Sequence, residues 1–480
     1  MKKILLAILA VVVLFIAVLL FNTLTFRSKQ ITVAPVVPIE INEAAYERLS
    51  EAIKFKTVSI LSGRVTDSSA FLGLHDHIAR SYPLIDSLLE KQLIGLSLLY
   101  TWEGANPNLK PIILMSHQDV VPVDEPTRGD WEHPPFSGEL TETSVWGRGT
   151  MDDKGTLMAI LEATEILLQE GYTPQRTIYL AFGHDEEIGG VYGARLIAHE
   201  LKKKGVQALF TVDEGGLMVS EMIPGLEGRM AMVNVAEKGY ASFKLTVSTS
   251  GGHSSSPPER TTIEILSRAI IALDENQRPL LFSPPISDQI AYLGPELAFT
   301  SKLAFANTWL LKNQILEPLN ARTSTAPTII NGGIKDNVIP TQATATINFR
   351  IMPGETVEDI HNHIIQTVND TTISVTPYKQ QNEPTSVSSI ESDGFNILNT
   401  TIRQVFPDAV VVPGLLPAGT DSKHFIEISD DVYRFFPLHY TPKTAGMIHG
   451  INERIDKENY KECVQFVYQL VKNTSEMEAP

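Results

Sequence analysis

Two adjacent carboxylates, Asp152 and Asp153, follow the glycine-punctuated stretch Val145-Trp146-Gly147-Arg148-Gly149-Thr150-Met151, and a helical pattern runs on from Thr156 to Ala163. Acids at such a place can act as plain helix caps, satisfying free N–H groups and complementing the dipole. Three other clusters change that reading, because each follows a β-like run. They are His117-Gln118-Asp119 after Pro111 to Ser116, Asp185-Glu186-Glu187 after Thr177 to Phe182, and Asp213-Glu214 after Ala208 to Val212. In an open α/β sheet the carboxyl ends of the strands face one crevice, so clusters far apart in sequence can converge there. A histidine among several carboxylates, with no cysteine, suits a borderline divalent ion such as Zn²⁺. More acids than one ion needs point to two ions sharing a carboxylate.

The elements that must position these groups alternate between strand and helix from Leu98 to Val212, the mark of a largely parallel sheet with covering helices. After about Gly239 the texture changes. Ser242 to Val247 and Ala343 to Arg350 alternate like antiparallel strands, Gly251 to Pro258 is a loop, Thr262 to Leu273 and Val357 to Val368 are helical, and Thr372 to Thr376 is a strand. This is a separate α+β unit inserted in the chain. Its middle, Leu280 to Asn320, is apolar and rich in Trp, Phe and Leu; lid, membrane-facing surface and extra core are all open for it. The α/β pattern resumes near Phe395, and a last helix runs from about Lys457 to Val471. His75 and His77 lie two apart in the helical pattern Leu72 to Leu89, where they cannot share a face, and read as surface residues.

With 480 residues, 43% of them hydrophobic, the chain can bury a large core in more than one domain. A net charge of -17 argues against a nucleic-acid partner. Lys2 and Lys3 precede an apolar run from Ile4 to Phe21, long enough to approach a bilayer span and lacking a convincing cleavage site after it. The expectation is an uncleaved anchor with the bulk of the chain outside the cytoplasm, secreted if the segment is cut. Val- and Pro-rich residues then form an extended stalk. Cys463 is the sole cysteine, set among Val464, Val467 and Leu470 on an apolar helical face, and reads as buried core.

Six motifs, in one order, resemble the co-catalytic di-zinc amidohydrolases and exopeptidases, the family of aminoacylase-1, acetylornithine deacetylase, succinyl-diaminopimelate desuccinylase and carboxypeptidase G2. They are Ser116-His117-Gln118-Asp119, Gly147 to Gly155, Asp185-Glu186-Glu187, Asp213-Glu214-Gly215, Gly252-His253-Ser254-Ser255 and Ile448-His449-Gly450. Asp130 to Phe136, Asn337-Val338-Ile339-Pro340, Asn348 to Gly354 and Ile448 to Glu453 look like the branch of carboxypeptidase S and the secreted N-fatty-acyl-amino-acid synthase/hydrolase. The resemblance implies an α/β fold, a mostly parallel sheet flanked by helices, with an inserted α+β lid/dimerisation domain and one N-terminal transmembrane helix. The expected division is a signal anchor over 1–26, a stalk over 27–41, the catalytic domain over 42–240 and 386–475, and the inserted domain over 241–385.

It further implies two Zn²⁺ per subunit, other divalent metals being admissible. His117, Asp152 and Asp213 would hold one and Asp152, Glu187 and His449 the other, with Asp119 orienting His117. Glu186 would be the general base, a carboxylate beside the ions that takes a proton from water and returns it to the departing amine. His253 would support the oxyanion, from the same chain or from a homodimer partner. Arg350 and Asn337 would grip a free carboxylate, with Gly419 and Thr420 at the same end of the pocket. His184, His361, His363, His424 and His439 match no motif position. The activity expected is hydrolysis of an amide bond next to a free α-carboxylate, on short peptides or on N-acyl amino acids, reversible in principle. The rival is a membrane-anchored, catalytically silent binding protein of the same fold; it predicts damage at the base or at a ligand, and the sequence has none.

Overall fold

Strand Ile112–His117 is buried along its whole length, which an apolar run achieves in the middle of a sheet covered on both faces. In this computed structural model, which describes residues 2–61, 64–65 and 67–476, the strand lies between Ile178–Gly183 and Ala208–Asp213 and is parallel to both. Ser429–Arg434 extends the parallel centre beside Ala208–Asp213. The margins differ from the largely parallel expectation. Glu90–Ile94 and Ser97–Trp102 form an antiparallel pair that joins Ile178–Gly183, and Arg229–Glu237 runs antiparallel to Ser429–Arg434 while pairing parallel with Val410–Leu416. The first departure has a local cause: only Gly95 and Leu96 separate the two strands, Gly95 has φ +62°, and so short a connection can build only a hairpin.

Alternation along the central strand divides the core. Ile112 and Leu114 face a layer that includes the helices Lys154–Gln169 and Lys457–Glu476, whereas Ile113 and Met115 face Ala194–Lys203. Cys463 is fully buried on the inner face of the last helix, with Val464, Val467 and Leu470. His75 and His77 are also buried, contrary to the surface expectation. Pro83 splits the expected helix into Ser68–Ser81 and Pro83–Leu88, and each histidine finds a separate partner: His75 Nε2 lies 2.7 Å from Gln118 Oε1 and His77 Nε2 2.8 Å from the Arg48 carbonyl.

A second, antiparallel sheet runs in the order Ser324–Gly332, Gln342–Ile351, Gly239–Ser248, Ile373–Pro377. The helices Thr262–Glu275 and Val357–Val368 cover it through Leu266, Leu273, Ile360 and Ile364 against Phe243 and Phe349. Lys238 alone separates the end of Arg229–Glu237 in the first sheet from the start of Gly239–Ser248 in the second, and its Nζ donates to the carbonyls of Asn320 and Arg322. The outer strand Ser324–Gly332 is an exposed edge.

Helix Lys2–Thr25 is the one helix among the described residues long and apolar enough to cross a membrane. Residues 27–41 lie along the first domain: Gln30 exchanges hydrogen bonds with the backbone of Val411, and the Val36 N–H donates to the Gln404 carbonyl. The apolar stretch after Leu280 packs on the first domain. Its helices Ile286–Leu293, Phe299–Ala306 and Lys312–Leu316 contribute to clusters with Met230, Val410, Val412 and Leu415.

Candidate active site

Parallel strands that end together bring their last residues together. His117 closes one central strand, Asp213 closes its neighbour, and the loop after Ile178–Gly183 supplies Glu186 and Glu187. His117 is buried, its Nδ1 2.9 Å from the Asp119 carbonyl and 3.4 Å from Asp119 Oδ1, its Nε2 3.0 Å from Asp152 Oδ1. The other Asp152 oxygen is 3.0 Å from His449 Nε2, which also lies 3.3 Å from Glu187 Oε2. Asp152 thus stands between two imidazoles with one oxygen for each, and a cis peptide joins it to Asp153. The carboxylate of Asp119 accepts the N–H groups of Glu186 and Glu187, at 3.1 and 3.2 Å.

Among the described residues, possible ligand atoms of His117, Glu186 and Glu187 lie within 4.8 Å of one another, as do those of Asp152, Glu187 and His449. Asp213 is in neither group; its Oδ2 accepts the Ser422 N–H at 2.9 Å. Glu187 Oε1 is buried without a hydrogen-bond partner, a costly state for a carboxylate oxygen that a cation would relieve. Imidazole nitrogens and carboxylate oxygens in this number fit borderline divalent ions.

The protons tell the same story. Hydrogen bonds to Asp152 and Glu187 push His449 up to about 10. For His117 burial opposes the charge, but hydrogen bonds to Asp119 and Asp152 outweigh it and hold the ring well above its ordinary value. A ligand must be a neutral imidazole, so at pH 7 metal has to expel protons, and metal affinity rises with pH and falls in acid. Calorimetric titration of the metal-free protein in buffers of different ionisation enthalpy should therefore show about one to two protons released per subunit. Binding heats independent of the buffer would contradict protonated ligands.

Two groups to which the sequence reading gave no role position this set. Glu453 Oε1 accepts the N–H groups of Gly149, Met151 and Asp152 at 2.9, 2.9 and 3.2 Å, while its Oε2 pairs with Arg148 Nη1 at 2.6 Å. Arg148 Nη2 donates to the carbonyls of His449 and Gly450. One buried ion pair therefore ties the loop of Asp152 to the loop of His449, whose own backbone is left-handed at φ 61°. On the Asp213 side, Glu237 Oε1 accepts from Thr420 Oγ1, Ser422 Oγ and Arg434 Nε, all buried. No local spacing in the sequence signals the pairing of Arg148 with Glu453, which stand 305 residues apart.

A cavity of about 1040 Å³ is lined by Asp152, Glu186, Glu187, Glu214 and His449, and also by Arg350, Gly419 and Thr420. Arg350 comes from the second sheet, its guanidinium 5.0 Å from the centre of the Tyr240 ring. Burial, reinforced by Asp421 and Glu187, pushes Glu186 well above the carboxylate range; Glu214 is raised likewise, by burial and then by Asp152 and Asp213. His253 and Asn337 do not line this cavity. His253 is on the small ladder Gly252–His253 with Val338–Ile339 and Asn337 directly precedes Val338, both exposed, the Ser254 N–H donating to the Asn337 carbonyl.

Against known proteins, the family model described as Peptidase family M20/M25/M40 matches residues 113–473. A probable carboxypeptidase S-like 2 of Dictyostelium discoideum is 39% identical over 482 residues, 95% of this chain and 91% of the relative. An N-fatty-acyl-amino acid synthase/hydrolase of Mus musculus is 37% identical over 490 residues, 98% and 96% of the two chains. Among solved structures, the M20 family metallo-carboxypeptidase Sso-CP2 from Sulfolobus solfataricus superposes with a TM-score of 0.69 at 19% identity, covering 91% of this chain and all of that one.

Proposed function

From the premise that this chain belongs to peptidase family M20/M25/M40 and is a hydrolase, we propose that it uses two Zn²⁺ to hydrolyse an amide bond next to a free α-carboxylate. One observation carries the reading: the metal-type cluster of Asp152, Glu187 and His449 and the guanidinium of Arg350 line one cavity. Its size lies at the upper end of small-molecule sites.

His117, Asp152 and Asp213 would hold one ion, and Asp152, Glu187 and His449 the other. When bound, such ions supply a Lewis acid and acidify water. Arg350 binds the substrate carboxylate as a planar fork, which orients the amide; Gly419 and Thr420 close the same end. Glu186 takes a proton from the attacking water and delivers it to the departing amine. Asp119 holds the backbone of Glu186 and Glu187 in place while bracing His117. His253 and Asn337, exposed and close together at one small ladder, come to the cavity from a second copy, where His253 donates to the oxyanion. The Lys2–Thr25 helix anchors the protein, with the catalytic domain outside the cytoplasm.

Peptide and N-acyl amino acid are the two substrate classes. The zinc-loaded protein, assayed on dipeptides and on N-long-chain-acyl amino acids, should cleave at least one panel and lose cleavage when the α-carboxylate is amidated. The preferred panel assigns the class. Equal cleavage of the amidated compounds would remove Arg350 from its role, and no cleavage of either panel by the metal-loaded protein would reject the proposal.

A further inference from the structure

The helix Lys2–Thr25 does not leave the domain alone. Asn22 Nδ2 donates to Asn307 Oδ1 at 2.9 Å, Asn307 Nδ2 donates to the Leu19 carbonyl at 3.2 Å, and the rings of Phe15 and Trp309 meet edge to face with centroids 6.4 Å apart. Phe26 continues the contact into the cluster of Ile286, Ile290, Ile315 and Leu316. Beside this contact, large apolar side chains face outward: Phe299 is 56% exposed and Trp309 60%, with Leu310 also exposed. Residues 297–316 contain no acid and two lysines, Lys302 and Lys312.

Depth follows from helix geometry. The apolar run ends at Phe21, so the Asn22–Asn307 pair marks the polar boundary. Phe15 lies seven residues earlier, about 10 Å further along the axis at ~1.5 Å per residue. A bilayer that holds the helix up to Asn22 therefore already contains the level at which Trp309 touches Phe15. Interfacial segments sink roughly 5–10 Å past that boundary, with aromatic residues in the belt and lysines reaching back to the headgroups. Arg27 and Lys29, just beyond the helix, stand where headgroups would be.

We propose that residues 299–311, the helix Phe299–Ala306 and the turn after it, are a second membrane-entering element that lies in the leaflet on the catalytic side and docks on the anchor helix. Its occupant is the phospholipid bilayer. The inference rests on the anchor reading and adds to it a rigid orientation: the N-terminal helix alone would be a tether, whereas that helix and the 299–311 element together fix the domain against the membrane. Strand Val410–Leu416 links the two regions, with Leu415 packed in the cluster of Phe26 and Phe305 and its neighbour Leu416 lining the catalytic cavity. The domain is thereby held at the surface where an amphiphilic acyl substrate would partition.

The test uses the full chain in phosphatidylcholine vesicles with brominated or plain acyl chains, comparing it with Trp309→Phe. The other tryptophans, Trp102, Trp131 and Trp146, belong to the first domain and are buried or half-buried. The emission contributed by Trp309, taken as the difference between the two proteins, should fall about twofold or more in brominated vesicles, and the variant should not respond. Retention of the protein after an alkaline wash reads the anchor separately. Retention without quenching of Trp309 overturns the membrane-entering element and leaves the anchor standing. Loss in the wash overturns both. Trp309 unquenched by bromine but shielded from aqueous acrylamide would show a second copy on this face and also overturn the proposal.

Discussion

Glu186→Ala should lower kcat/KM by about 10²–10⁴-fold while the protein keeps its fold and its metal. The expectation has a structural reason. The Glu186 backbone N–H, which Asp119 accepts at 3.1 Å, survives the substitution, so the neighbouring Glu187 stays in place. What disappears is the carboxyl proposed to move the proton. Glu187→Ala is the contrasting case: its carboxylate is 3.3 Å from His449, and its loss should strip metal from the protein. Turnover on the preferred substrate, metal content by mass spectrometry and near-ultraviolet circular dichroism measure the three parts. Activity of Glu186→Ala within a factor of about ten of the original would show that another group carries the proton, and loss of metal would make Glu186 a ligand.

Glu453→Ala should be among the most destabilising single changes near the site. It leaves the guanidinium of Arg148, 3% exposed, without its partner, and breaking a buried pair from one side costs about 3–5 kcal/mol. It also strips the acceptor from Gly149, Met151 and Asp152. Denaturant unfolding should therefore show a loss of about that size. The double variant Arg148→Met with Glu453→Leu should recover only part of it, because removing both charges still leaves three buried N–H groups unpaired. A loss under about 1 kcal/mol would mean that water replaces the carboxylate.

The meeting of the acid and histidine clusters was legible because strand order is irrelevant to it: any parallel centre delivers its strand ends to one side, and His117, Asp185 and Asp213 each follow an apolar β run. The Arg148–Glu453 brace was not legible, since a carboxylate that accepts backbone N–H groups needs no particular residue type opposite it. The same blindness explains His75 and His77, which helical spacing alone set on different faces although Gln118 and the Arg48 carbonyl give each its own buried partner. The stretch after Leu280 was read only as apolar; what it covers is decided by the strand Val410–Leu416, more than 90 residues away in sequence, and no local period encodes that. Nor does sequence reveal that His253 and Asn337 lie away from the cavity lined by Arg350.

The burial of Cys463 bears on how two copies can be held together. With the sole thiol buried on the inner face of the last helix, no disulfide can lock one chain to another, and a pair that brought His253 across would form and separate by mass action. Its completeness would then depend on how many chains share the same patch of membrane, a number that the proposed anchor would raise by confining diffusion to two dimensions.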